Sequence, residues 1–198
     1  MSKSRNKPII GITLGDPQGI GPEVIQRALS SPLIKKICRP IVFGDTKFFD
    51  FKNAQRLTPQ QCGQLSAFYI EQAAQAARQG KIAGIVTAPI SKERLQLAGY
   101  KYPGHTEFLA ALTGTQKVRM MMAGPQLKVV LVTLHEAIKK ISSLLTSSNI
   151  METIEITEAA LQGQFLIRRP KIAVAALNPH AGENGKSQRL RGNRCNAI

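Results

Sequence analysis

Residues 8–29 constrain this chain more than any other stretch. Pro8-Ile9-Ile10-Gly11-Ile12-Thr13-Leu14 is a short apolar run, which reads as a buried strand. Gly15-Asp16-Pro17-Gln18-Gly19-Ile20-Gly21 is a glycine loop, and a helix over 22–29 follows with Pro22 at its first position, where a missing N–H costs nothing. A strand that turns through glycines into a helix is the opening unit of an α/β fold.

The rest of the chain keeps that rhythm. Residues 41–44 read as a second short strand and 59–80 as a long helix. In that helix Leu65, Phe68, Tyr69, Ala73 and Ala76 recur at helical spacing, and Gly80 suits its end. Residues 82–87 read as a third strand. A short helix over 91–97, which Ser91 can cap, and another over 105–113 come next. Apolar strands over 118–123 and 127–134 flank Gly124-Pro125, a hairpin turn, and two helices over 136–145 and 149–164 follow. A last strand over 171–177 feeds Asn178-Pro179-His180-Ala181-Gly182-Glu183. The alternation predicts an α/β protein with a largely parallel sheet and some antiparallel pairing.

The charge is the oddest bulk feature: 27 Lys+Arg against 12 Asp+Glu, a net of +15 over 198 residues. Its distribution argues against nucleic acid. Lys3, Arg5 and Lys7 and then Lys186, Arg189, Arg191 and Arg194 lie at the two ends, and aromatics are only 5% of the chain, too few for a stacking platform. No helix-turn-helix or zinc-finger spacing is present. No apolar run is long enough to span a bilayer, and Cys38, Cys62 and Cys195 have no CxxC spacing. The expectation is a cytoplasmic protein with no nucleic-acid or membrane partner.

Four motifs could carry chemistry. The glycine loop at 15–21 precedes a helix N-terminus, whose free amides favour an anion, but it is neither G-x-G-x-x-G nor a Walker loop. A structural tight turn fits it equally well. Gly104-His105-Thr106-Glu107 opens a helix, where His and Thr can bind a phosphate or hydroxyl. The plainer reading has Thr106 capping the helix and His105 on the surface. His135 and His180 each end a predicted strand, where ligands collect in open α/β sheets. They are either hydrogen-bonded structural residues or part of a shared site. Neutral imidazoles suit Zn²⁺, Co²⁺ or Ni²⁺, but a catalytic site generally uses three protein ligands. No Gly-x-Ser-x-Gly elbow is present, and Ser91-Lys92 reads as a cap rather than a catalytic dyad.

Taken together, these motifs are specific. Gly-Ile-Thr-Leu-Gly-Asp-Pro-Gln-Gly-Ile-Gly-Pro-Glu (11–23), Thr-Ala-Pro-Ile-Ser-Lys (87–92), Tyr-Pro-Gly-His-Thr-Glu-Phe-Leu (102–109) and Leu-Asn-Pro-His-Ala-Gly-Glu (177–183) stand in the order of one family. The chain resembles the 4-hydroxythreonine-4-phosphate dehydrogenases of pyridoxal phosphate biosynthesis over about residues 8–185. The resemblance implies the two-domain α/β fold of isocitrate and isopropylmalate dehydrogenases, with an active site at a homodimer interface. It implies NAD- or NADP-dependent oxidation of 4-phosphohydroxy-L-threonine to a β-keto acid, which decarboxylates to 3-amino-2-oxopropyl phosphate. It places His105 and Thr106 on the phosphorylated substrate, and His135 and His180 on a divalent metal (Zn, Mg or Co). It assigns no residue here as catalytic or cofactor-binding.

The departure from that family is at the C-terminal end. The family continues with a third metal-binding His, further substrate residues and much of the nicotinamide-cofactor region. Here 186–198 is basic and without pattern. The expectation is a truncated chain: a first domain over 1–100 lacking its C-terminal return, part of a second metal, substrate and dimerisation domain over 101–185, and an aberrant tail over 186–198. Two alternatives follow. One is an inactive remnant of the enzyme. The other is a related dehydrogenase of four-carbon sugar-acid phosphates, such as threonate or erythronate 4-phosphate.

Overall fold

The computed structural model describes residues 7–176. It is a mixed helix and strand structure that divides into two units, with the boundary between Gln116 and Lys117.

The first unit is built on three parallel strands in the order β2-β1-β3: β1 (Ile9–Thr13), β2 (Arg39–Phe43) and β3 (Gly84–Thr87). Ile12 pairs with Val42 on one side and Val86 on the other, so β1 is the centre. Pro40 marks β2 as an edge. It has no N–H, and its neighbour Arg39 already donates inward to Pro8 O at 2.9 Å.

Helices α1 (Gly21–Ser30), α2 (Pro32–Ile37), α3 (Phe51–Ala54), α4 (Pro59–Arg78), α5 (Lys92–Leu97) and α6 (His105–Thr113) accompany this sheet, α4 packing on all three strands and carrying α5 and α6. A 3₁₀ turn at Thr46–Phe49 precedes α3. α4 begins with a complete capping box: Gln61 N donates to Thr58 Oγ1, and Thr58 N donates to Gln61 Oε1. Ser91 caps α5 as expected, accepting from Arg94 N at 3.3 Å.

The core lies along α4. Leu14, Ile25, Phe48, Ala54, Tyr69 and Ala88 form one buried cluster, and Ala67, Ile70, Leu95 and Phe108 a second. Each fully buried Leu, Ile or Phe contributes about 1.5–3 kcal/mol of transfer free energy. Gly63 shows how closely α5 is seated on α4. A Cβ there would collide with the Arg94 carbonyl, so this mid-helix position takes the one residue that fits despite its poor helix propensity.

The second unit holds β4 (Met121–Ala123) and β5 (Lys128–Val130), an antiparallel pair, with α7 (Ile138–Leu144) and α8 (Ser147–Gly163). The turn at Gly124-Pro125 closes as expected, Gly124 N donating to Leu127 O at 2.9 Å. The strands are shorter than the apolar runs predict. Beyond Val130 the ladder has one further bond, from Leu131 N to Met120 O. The β4 side runs out because Lys117 and Arg119 turn to Glu152 on α8, at 3.2 and 2.7 Å. Residues 171–176, expected as strand, pair with nothing among the described residues, and an apolar run alone does not make a strand without a ladder partner.

Candidate functional site

β1 delivers the glycine loop to the carboxyl end of the sheet. There β1 connects to β2 on one side and borders β3 on the other, a topological switch point. Gly15 is left-handed at φ +74°, and a Cβ on it would strike the Pro89 carbonyl, so both conformation and space require glycine. Asp16 N donates to that carbonyl at 3.0 Å, which ties the loop to the segment after β3.

Asp16 is the anchor of the loop. It is 6% exposed. Its Oδ1 accepts from Gln18 N at 2.9 Å, and Arg94 Nη1 lies 2.8 Å from both carboxylate oxygens. Gln18 Nε2 in turn donates to the carbonyls of Ala54 and Leu57, both at 2.9 Å. Three separate elements therefore hold this loop. Beneath it Cys62 is fully buried, and burial, then the Asp16 charge, push its thiol pKa up, so it is inert at neutral pH. A cavity beside the loop is lined by Gln18, Gly19, Ile20, Phe48, Phe49 and Phe51.

His105 and Thr106 begin α6. The N-cap is Gly104, in extended backbone and without a side-chain cap bond, so Thr106 does not cap the helix. Nor is His105 a plain surface residue. Its Nε2 is buried and has no hydrogen-bond partner, and burial lowers its pKa, which keeps the imidazole neutral at pH 7. The surroundings are aromatic. Tyr102 stacks on Phe108 at 4.4 Å between ring centroids, and Tyr100 tilts against the same ring at 5.5 Å. An orphaned buried imidazole nitrogen is costly, and an oxygen of a bound ligand would satisfy it.

His135 does not end a strand. β5 stops at Val130, and His135 lies on an exposed bend at φ +56°. Past the last ladder bond nothing keeps the backbone extended, and His is one of the residues that tolerates the left-handed region. His180 lies outside the described residues. Among those described, no group of three His, Cys, Asp or Glu is placed to hold a metal ion. His135 alone is one donor, so the described residues do not by themselves make a metal site.

The turn at 15–21 and the helix start at His105 are where the sequence reading put them, but the Asp16–Arg94 ion pair was not foreseen. No spacing rule connects Asp16 to a residue 78 positions later. Ser91 and Lys92 carried the visible motif, and Arg94 reads from sequence as an ordinary exposed helix residue.

The comparisons agree with the motif order. Residues 35–189 match the family model of the pyridoxal phosphate biosynthetic protein PdxA. The chain is 40% identical to a 4-hydroxythreonine-4-phosphate dehydrogenase of Desulforapulum autotrophicum, covering 91% of this chain and 64% of that protein. It is 39% identical to a D-threonate 4-phosphate dehydrogenase of Cupriavidus necator, covering 90% and 64%. The crystal structure of a 4-hydroxythreonine-4-phosphate dehydrogenase from Klebsiella pneumoniae superposes with a TM-score of 0.82 at 32% identity, covering 90% of this chain and 66% of that one. This chain therefore spans about 64% of the length of those curated relatives. On the match of its residues 35–189, it belongs to the family of the pyridoxal phosphate biosynthetic protein PdxA.

Proposed function

We propose that the chain serves the NAD- or NADP-dependent oxidation of 4-phosphohydroxy-L-threonine. The substrate carbinol carbon gives a hydride to the nicotinamide and its hydroxyl gives up a proton. The β-keto acid formed then loses CO₂ to leave 3-amino-2-oxopropyl phosphate. Family membership supports the reaction class. The observation that carries the site is His105 Nε2, buried and unpartnered at the start of α6.

On this reading His105 and Thr106 hold the phosphorylated substrate. A neutral imidazole donates or accepts one directed hydrogen bond, and the Thr106 hydroxyl adds a second at the positive end of the α6 dipole. The glycine loop, held on three sides, presents a preformed edge at the sheet's carboxyl end. His135 and His180 are the proposed donors to a divalent metal, together with donors outside the described residues. Such a metal, when bound, supplies charge stabilisation at the substrate oxygen. The proposed setting is the two-domain isocitrate dehydrogenase-like architecture, as a homodimer in the cytoplasm. Among the described residues, no helix is long and apolar enough to cross a membrane.

The Cupriavidus necator relative gives a second reading specific support: the same residues would hold D-threonate 4-phosphate, which has a hydroxyl where the first substrate has an amino group. The test is reduced-nicotinamide formation by the purified chain with each substrate, alongside calorimetric titration of each. Turnover or binding that favours 4-phosphohydroxy-L-threonine supports the first reading, and the reverse preference supports the second. Binding without turnover marks an inactive member of the family. Neither binding nor turnover with either substrate contradicts both.

A further inference from the structure

We propose that Arg94 is a positioning residue that holds the glycine loop, through Asp16, in the arrangement that ligand binding uses. This rests on the reading above, in which the loop presents a preformed edge at the sheet's carboxyl end.

Arg94 Nη1 bisects the Asp16 carboxylate, 2.8 Å from each oxygen, and the carboxylate is buried while the guanidinium keeps 26% of its side-chain surface exposed. Most of the Asp16 carboxylate is committed to the fold: Oδ1 serves both Arg94 and Gln18 N, and Oδ2 is also held by Arg94. Its backbone is occupied as well, N donating to Pro89 O and O accepting from Gly19 N at 2.9 Å. The carboxylate thus fixes the loop's path, and Arg94 fixes the carboxylate.

Arg94 itself is immobilised from behind. Its carbonyl lies against Gly63 on α4, its N–H bonds the Ser91 cap, and its neighbour Leu95 is fully buried. The loop's position is thereby referred to α4, the longest helix among the described residues and the spine of both buried clusters. A lysine there keeps the charge, but its ammonium lies one bond short of the Nη1 position and is more strongly hydrated, so it holds the carboxylate less firmly. A methionine leaves the buried Asp16 unpaired.

Amide hydrogen exchange on the whole chain, compared among wild type, Arg94→Met, Arg94→Lys and the Asp16→Asn/Arg94→Met double variant, tests this, with calorimetric titration of 4-phosphohydroxy-L-threonine beside it. The expected result is exchange about tenfold faster at residues 15–21 in Arg94→Met, with α4 unchanged and Arg94→Lys intermediate. The double variant should regain melting temperature, having no unpaired charge, yet keep the loosened loop. Substrate affinity should fall about tenfold in Arg94→Met and partly return in Arg94→Lys. Unchanged exchange at 15–21, or a loosening shared equally by α4, overturns the proposal. Failure of the wild-type chain to bind substrate counts against the proposed function instead. In that case the exchange comparison still decides whether Arg94 sets the loop.

Discussion

The two units of this chain spend their apolar residues differently. In the first, one sheet and a long helix gather Leu14, Ile25, Phe48, Ile70, Leu95 and Phe108 at 5% exposure or less. In the second, the described residues bury only Thr153, Thr157 and Leu161, while Leu127, Ile138 and Leu166 stand at 69%, 88% and 75% exposure. Composition does not separate them. Supply of partners does: the parallel sheet and the long α4 cover one another, although Ile41 and Val86 stay 39% and 53% exposed, whereas a hairpin of three-residue strands and two helices enclose little. The second unit leans instead on polar ties, such as Arg119 to Glu152 and Thr153 and the back-bonds of Thr153 and Thr157 to their own helix.

The contrast can be broken at Phe108. Phe108→Ala should cost about 3–5 kcal/mol, read by urea unfolding of the first unit, because it empties a filled aromatic pocket. Leu166→Ala in the second unit should cost under about 0.5 kcal/mol by the same assay. Equal costs would abolish the distinction.

Next in size is Arg94→Met, expected to destabilise the first unit by about 2–3 kcal/mol. That is less than a fully buried pair would lose, since Arg94 is partly solvated. Thr58→Ala, which removes a capping box, should cost about 1 kcal/mol and fray the start of α4.

The smallest effects are pH-linked, and they differ in sign of cause between the units. His105 has a lowered pKa in the folded state, so folding favours its neutral form. Its contribution is full above the unfolded value of about 6.5 and is lost as pH falls through the lowered one. His105→Gln should flatten the stability profile of the first unit below pH ~6.5. Glu152 also has a lowered pKa, through Lys117 first and then Arg119. Its contribution holds above the ordinary carboxylate range, about 4.3, and fades only as pH drops below it. Salt should weaken the Glu152 effect and spare that of His105.

Much of the first unit was legible in the sequence because its signals are long and mutually consistent. The helical spacing in α4, the apolar β1 and the start of α6 at His105 needed no tertiary information. The turn at Thr46–Phe49 and helices α2 and α3 were not legible: four to six residues show no period, and α5, equally short, was read from its Ser91 cap instead. In the second unit the apolar runs overstated the strands, because apolar residues specify a strand only where a ladder partner exists. The site divides the same way. The glycine loop and His105-Thr106 are local words, while Asp16 with Arg94 is a long-range contact that only the fold creates.

The most direct test of the central claim, that the first unit carries a preformed site for a phosphorylated substrate, is residue-resolved amide exchange on the whole chain with and without 4-phosphohydroxy-L-threonine. The account predicts strong protection along β1 and α4 in both states, with added protection on binding confined to residues 15–21 and the start of α6 around His105 and Thr106. Binding that leaves both segments unchanged, or a first unit that exchanges as freely as the second, would contradict it.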